Sequence, residues 1–220
     1  MSYKVLSTKN LTPSQKKQIS NPQFSLFEKN FININPIKFS FTGSNDAVIF
    51  SSKNAVKIVL SNIKIKELLI NNKIFCVGPE TRKLLKKNNL NVVFSTTNGS
   101  ELGDCLVQKK LNKNFIFFCG TKRSEDIENM LIANDLSIQI IEVYTTDLIP
   151  LKIDEEFDAI LFFSPSAVKS FTNLNSIRNA RCFCIGSSTA SALMPFTKNI
   201  HVSNKPTIRN VLKNLNTHFN

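Results

Sequence analysis

Tryptophan is absent from this 220-residue chain, and glycine (6), methionine (3), histidine (2) and tyrosine (2) are scarce. The two histidines, His201 and His218, come too few and too late for a Ser-His-Asp triad or a histidine-built metal site. The few glycines form no Gly-x-Gly-x-x-Gly, no Walker-type Gly-x-x-x-x-Gly-Lys-Ser/Thr and no Gly-x-Ser-x-Gly elbow, so nucleotide-loop and hydrolase-elbow chemistries are not indicated. No apolar run reaches the roughly 20 residues that span a bilayer, and the opening Met-Ser-Tyr-Lys-Val-Leu-Ser has no signal-peptide core, so the expectation is a cytoplasmic protein without membrane contact. Of the five cysteines, Cys76, Cys119, Cys182 and Cys184 lie in strand-like apolar runs and Cys105 in a helical pattern. Cys182 and Cys184 could start a zinc ligand pair, but no second pair completes it, and buried free thiols with no metal are expected.

Acidic residues are also in deficit: 16 against 28 basic, a net charge of +12. Lysine supplies 23 of the basic residues, and 27 asparagines accompany them, a composition that looks like the bias of an AT-rich genome. A positive field favours an anionic partner, whether nucleic acid, phosphates or a polycarboxylate. The lysines are scattered and no basic helix is interleaved with aromatics, so nucleic acid is not the expected partner.

What the chain does contain is a duplication. Asp46-Ala-Val-Ile-Phe-Ser-Ser-Lys-Asn-Ala-Val-Lys57 aligns without a gap on Asp158-Ala-Ile-Leu-Phe-Phe-Ser-Pro-Ser-Ala-Val-Lys169, 112 residues on. Ile74-Phe-Cys-Val-Gly-Pro-Glu-Thr-Arg-Lys-Leu-Leu85 then matches Cys182-Phe-Cys-Ile-Gly-Ser-Ser-Thr-Ala-Ser-Ala-Leu193 at an offset of 108. A period this long makes each copy a domain rather than a solenoid repeat.

Short continuous apolar runs (3–7, 24–34, 47–50, 74–77, 92–94, 115–119, 138–144, 159–163, 182–185, 200–202) read as strands. Helical spacing falls between them, after Thr12-Pro13 and at 54–60, 81–87, 100–110, 124–134, 166–171, 189–194 and 207–215. This grammar predicts an α/β protein of two flavodoxin-like three-layer lobes with parallel sheets of about five strands each. Segments 3–34 and 115–144 each supply an unrepeated strand-helix-strand. For each lobe to have one, the amino terminus must fold onto the carboxyl-terminal half. The expected lobes are 1–34 with 149–220, and an inserted 38–146, joined by a two-stranded linker near 34–38 and 145–151.

In open parallel sheets ligands bind beyond the carboxyl ends of strands, where helix starts offer unpaired N–H groups to anions. The repeats place Ser51, Ser52, Lys53 and Asn54 at one such end and Ser164, Pro165 and Ser166 at its copy. Gly78 to Thr81 and Gly186 to Thr189 occupy the next pair of ends. Ordinary helix capping accounts for any one of them; four paired ends point to an anion. An enzyme so built works mainly by holding a reactive substrate in one geometry.

The series Phe50-x-Ser52-x-x-Ala55-Val56, Gly78-x-x-Thr81, Val143-Tyr144-x-Thr146, Phe162-x-Ser164-Pro-Ser166-Ala167-Val168 and Gly186-x-x-Thr189-Ala190 resembles the uroporphyrinogen-III synthase family, from about Asp46 to Leu215. The resemblance implies two α/β lobes with substrate held in the cleft between them, and a cofactor-free lyase; nothing in the sequence suggests an oligomer, so a monomer is expected. Its substrate is hydroxymethylbilane, a linear tetrapyrrole with eight carboxylates, which is cyclised through a spiro intermediate with inversion of the last ring and loss of water. By the same resemblance Tyr144 assists departure of the hydroxyl, and Thr81, Thr189, Ser52, Ser164 and Ser166 bind acetate and propionate groups. Lys53, Lys122 and Arg123 are candidate carboxylate partners, Arg123 with bidentate geometry. The first strand departs from the family pattern, ending in Ser7-Thr8-Lys9 where Thr-Arg is common. The competing expectations are a non-catalytic two-lobed binding protein for a small polyanion and a paralogue that keeps the fold without turnover.

Overall fold

Runs of four to seven apolar residues closed by polar turns become strands, and the 3.6-spaced segments between them become helices. A computed structural model describes residues 2–42, 46–109 and 114–219. The chain begins β1 (Tyr3–Ser7), α1 (Pro13–Lys16), β2 (Phe24–Glu28), β3 (Ile32–Pro36), β4 (Ala47–Phe50), α2 (Lys53–Ser61) and α3 (Ile63–Leu68). It continues β5 (Ile74–Val77), α4 (Pro79–Lys87), β6 (Val92–Thr96), α5 (Gly99–Lys109), β7 (Asn114–Gly120), α6 (Asp126–Ile132) and β8 (Ser137–Leu148). It ends β9 (Ala159–Phe162), α7 (Pro165–Thr172), β10 (Arg181–Cys184), α8 (Ser187–Leu193), β11 (Ile200–Val202) and α9 (Ile208–His218). Lys110, the expected end of the helix begun near Ser100, lies outside the described residues.

The segment 24–34, expected as one strand, is divided between β2 and β3. Lys29 N donates to Ser7 O and Phe31 N to Thr8 O, and Phe31 is fully buried, so the chain turns inward between the two. Helix α3 leaves little trace in the apolar spacing because Ile65 is its one buried residue; Asn62 Oδ1 starts it by accepting from Lys64 N and Ile65 N.

The strands form a sheet in the order β11-β10-β9-β1-β2 and another in the order β3-β8-β7-β4-β5-β6. The pairs β1 with β2 and β9, β10 with β9 and β11, β4 with β5 and β7, β5 with β6, and β7 with β8 are all parallel. The chain divides into two compact units: unit 1, residues 1–33 with 147–220, and unit 2, residues 34–146. The divisions fall within β3 and β8.

Each sheet is apolar on both faces, as a covered parallel sheet must be. In unit 2, Val48, Phe50, Cys76 and Phe118 pack under α2 and α4, while Ile49, Phe75 and Phe117 pack under α5 and α6 through Leu102, Leu106, Ile127 and Leu131. In unit 1, Ile160, Phe162 and Cys184 meet Val168, Phe171 and Leu193, and Val5, Leu161 and Phe183 meet Val211, Leu212 and Leu215. Burying each such side chain stabilises the fold by about 1.5–3 kcal/mol. Both units are thus three-layered, with helix starts along the carboxyl edge of each sheet. No helix among the described residues is long and apolar enough to cross a membrane.

Candidate active site

The carboxyl edge of unit 2 brings together residues from four neighbouring strands, β8, β7, β4 and β5. At β4 the chain leaves the sheet through Ser52, whose Oγ caps α2 by accepting from Asn54 N at 3.1 Å. The Tyr144 hydroxyl also donates to Ser52 Oγ, at 3.2 Å. Tyr144 reaches this place through a register shift. Along β7 and β8, Cys119 faces Glu142 but Gly120 faces Tyr144, so one extra residue sits in β8. The bulge breaks the two-residue alternation and lets Tyr144 join Ile141 and Val143 in one buried cluster.

Gly120 makes the room. A methyl group in place of its hydrogen would lie 2.5 Å from Tyr144 Cζ and 2.9 Å from the phenol oxygen, well inside contact distance. The tyrosine ring therefore rests on bare backbone, fixed also by Thr121 N donating to Tyr144 O at 3.0 Å. Tyr144 is 8% exposed. Burial above all, with a smaller contribution from Cys119, raises its pKa against the opposing effect of the Ser52 hydrogen bond, so the phenol keeps its proton at neutral pH.

On the other side of β4, Gly78 closes β5 at φ 88°, a left-handed conformation that favours glycine, and its N–H donates to Thr96 O at 2.8 Å. Pro79 then opens α4, and Thr81 is buried in its first turn. Lys53 Nζ stands 4.0 Å from Glu80 Oε2, both side chains being about two-fifths exposed, a pairing worth little to stability.

The other two basic candidates lie beyond Gly120. Lys122 Nζ donates to Thr146 O at 2.9 Å. Arg123 grips Glu128 with two N–H groups, Nε to Oε2 at 3.0 Å and Nη2 to Oε1 at 3.2 Å, and donates through Nη1 to Glu142 Oε1 at 2.9 Å. Its fork thus ties the segment after β7 to α6 and β8.

In unit 1, Ser164 caps α7 by accepting from Ala167 N at 3.1 Å, with Ser166 in the first turn of that helix. Gly186 precedes α8 in extended backbone, and Thr189 is buried in its first turn. The structure therefore assembles Tyr144, Ser52, Lys53, Gly78 and Thr81 in unit 2, and Ser164, Ser166, Gly186 and Thr189 at the corresponding edge of unit 1. Lys122 and Arg123 hold local backbone and carboxylates. Gly120, Glu128 and Glu142 were missing from the sequence-derived set; a glycine standing directly after a strand, in a chain with six, was the available signal for the first.

Burial raises the Cys76 and Cys119 thiols to about 11 and those of Cys182 and Cys184 to about 12, leaving all four protonated and unreactive. Among the described residues no three His, Cys, Asp or Glu side chains gather as a metal site.

The chain thus consists of two parallel α/β units with hydroxyl-bearing helix starts along their carboxyl edges, and unit 2 adds one phenol seated on a glycine. A model of the family uroporphyrinogen-III synthase HemD matches residues 16–213. The chain belongs to this family of tetrapyrrole-biosynthesis enzymes. Its fold is similar to that of uroporphyrinogen-III synthetase from Helicobacter pylori 26695 (TM-score 0.72, 18% identity, covering 99% of this chain and 100% of that one). It is also similar to a mutant uroporphyrinogen III synthase from the extremely thermophilic bacterium Thermus thermophilus (TM-score 0.69, 14% identity, 99% of each chain). No curated protein sequence matches it.

Proposed function

We propose that this chain closes hydroxymethylbilane to uroporphyrinogen III, and that it does so without a cofactor. The observation that carries the reading is the Tyr144 phenol, seated on Gly120, kept protonated by burial and bonded to the Ser52 cap. Departure of the substrate hydroxyl leaves an electrophilic azafulvene, and a protonated phenol beside it assists that departure. Attack through the substituted position of the last ring gives the spiro intermediate, which reopens and recloses with the ring inverted. The net change is loss of water, so the chemistry calls for no electron donor and no activated group.

Lys53, Gly78 and Thr81 of unit 2, with the N–H groups of the helix start that Ser52 caps, and Ser164, Ser166, Gly186 and Thr189 of unit 1, hold acetate and propionate groups through hydroxyls, charge and helix-start N–H groups. Lys122 offers a carboxylate the ammonium hydrogens it does not give to Thr146. Arg123, its charge offset by Glu128 and Glu142, fixes the segment that carries Lys122. Unit 2 is a copy inserted into unit 1, and β3 and β8, where the chain passes from one to the other, are the two-stranded linker. The same reading takes the enzyme as a cytoplasmic monomer.

Freshly prepared hydroxymethylbilane, with the product isomers separated, tests this directly. The type III isomer is expected in excess over the spontaneous type I product; type I alone ends the reading. Tyr144→Phe should lower turnover about 100-fold while substrate affinity changes little. An unchanged rate removes the phenol from the mechanism.

A further inference from the structure

Resting on that reading, we propose that Ser52 is the group that hands a proton to the departing hydroxyl, and that Tyr144 acts through it. A serine hydroxyl has two lone pairs and one hydrogen. At Ser52 both lone pairs are engaged, one by the Tyr144 hydroxyl at 3.2 Å and the other by Asn54 N–H at 3.1 Å. The serine hydrogen is left to a third partner. Tyr144 is placed differently: it has already given its hydrogen to Ser52, it is 8% exposed, and its ring lies against Gly120. Of the two hydroxyls, that of the half-buried Ser52 is the one with a hydrogen to offer a substrate.

The step balances. As the substrate C–O bond breaks, its electron pair leaves with the oxygen, which takes the Ser52 proton and departs as water. The Tyr144 proton moves onto Ser52 Oγ. When the opened spiro intermediate recloses, the unsubstituted α carbon of the last ring forms the new bond and sheds its hydrogen as a proton, which restores the phenol. No oxidant or reductant takes part. Ser164, at the matching position of unit 1, also accepts from its own helix, through Ala167 N. The chain's second tyrosine, Tyr3, packs instead on Phe24 and Phe219.

Turnover of hydroxymethylbilane by wild type, Ser52→Ala, Ser52→Thr, Tyr144→Phe and the Ser52→Ala/Tyr144→Phe double variant decides the matter. Ser52→Ala and Tyr144→Phe should each lower kcat about 100-fold with KM within a few-fold, and the double variant should be no slower than the slower single, because the two groups act in series. Ser52→Thr, which keeps hydroxyl and cap, should recover most of the rate and shows whether lost folding lies behind the alanine result. The absence of tryptophan gives a second readout: in a Tyr3→Phe background, tyrosinate absorbance reports Tyr144 alone, and its titration should move upward in Ser52→Ala and return in Ser52→Thr. A wild-type rate in Ser52→Ala, or losses that multiply in the double variant, overturns the relay while leaving the synthase reading intact. Type I product alone from wild type overturns both.

Discussion

The two units lay their strands in one order around the repeated pair, β2-β1-β9-β10-β11 in unit 1 and β8-β7-β4-β5-β6 in unit 2, yet they are equipped differently. Ser52 and Ser164 both cap, Thr81 and Thr189 are both buried in a helical first turn, and Gly78 and Gly186 both precede a helix. The difference lies beside these motifs. Strand β7 has 7 residues where β1 has 5, and β8 has 12 where β2 has 5; the added length carries Gly120 and Tyr144. On the opposite flank the Lys53 and Glu80 pairing of unit 2 gives way to Pro165 and Ser188. The capping serines and helix-start glycines thus belong to the duplicated backbone, whereas the seated phenol belongs to an extension of one copy.

The sharpest way to break this contrast is Gly120→Ala. Its methyl group would have to displace the Tyr144 ring, and a misplacement of about an ångström is worth about 100-fold in turnover. Steady-state kinetics should show that loss; a rate near wild type means the ring has another seat. Next comes the glycine pair. Gly78→Ala should cost about 1 kcal/mol or more in a denaturant melt, because φ 88° strains any residue with a Cβ. Gly186→Ala should be nearly neutral, since its φ is −172° and the nearest atom to the added methyl is Pro206 Cβ at 3.9 Å. Equal costs at the two positions contradict the difference in backbone.

A smaller effect separates the units by pH. In unit 1, His201 stacks on Phe183 at 4.9 Å and meets His218 at 4.4 Å, with Lys213 lining the same groove and Arg181 on the neighbouring strand. Burial first, then the positive charge of His218 and Arg181, lowers the His201 pKa. Above the unfolded value of about 6.5 neither state is protonated there and nothing is lost. As pH falls through that value toward the lower folded pKa, the unfolded chain binds more protons and stability drops. Melting temperature should therefore decline modestly between about pH 7 and 5.5, and His201→Phe should flatten that decline. A decline that persists unchanged assigns it to other groups.

Much of this was legible in the residues. The short apolar runs and the Ser, Gly and Thr caps mark strands and helix starts by local chemistry, so the α/β class and the repeated strand ends follow from them. Tyr144 was reached through resemblance, because nothing in its neighbours' spacing announces the β8 bulge that turns it inward. Arg123 looked like a carboxylate receptor by residue type, and the carboxylates it grips prove to be Glu128, on the next helix, and Glu142, 19 residues along the chain. Such pairings depend on how helix and strand dock, which sequence spacing does not encode. The break between β2 and β3 was hidden for a like reason: Phe31 reads as one more apolar strand residue until its burial in unit 1 is seen.

The contact between Gly120 and Tyr144 also bears on how such a protein can change over generations. Any side chain gained at position 120 relieves selection to keep a large ring at 144, and any smaller residue at 144 opens space that a side chain at 120 then fills. Either loss takes a single substitution. Once both have occurred, restoring the ring first meets the new side chain, and restoring the glycine first recovers no phenol. The pair is a ratchet: a lineage that leaves this arrangement needs two coordinated changes to come back.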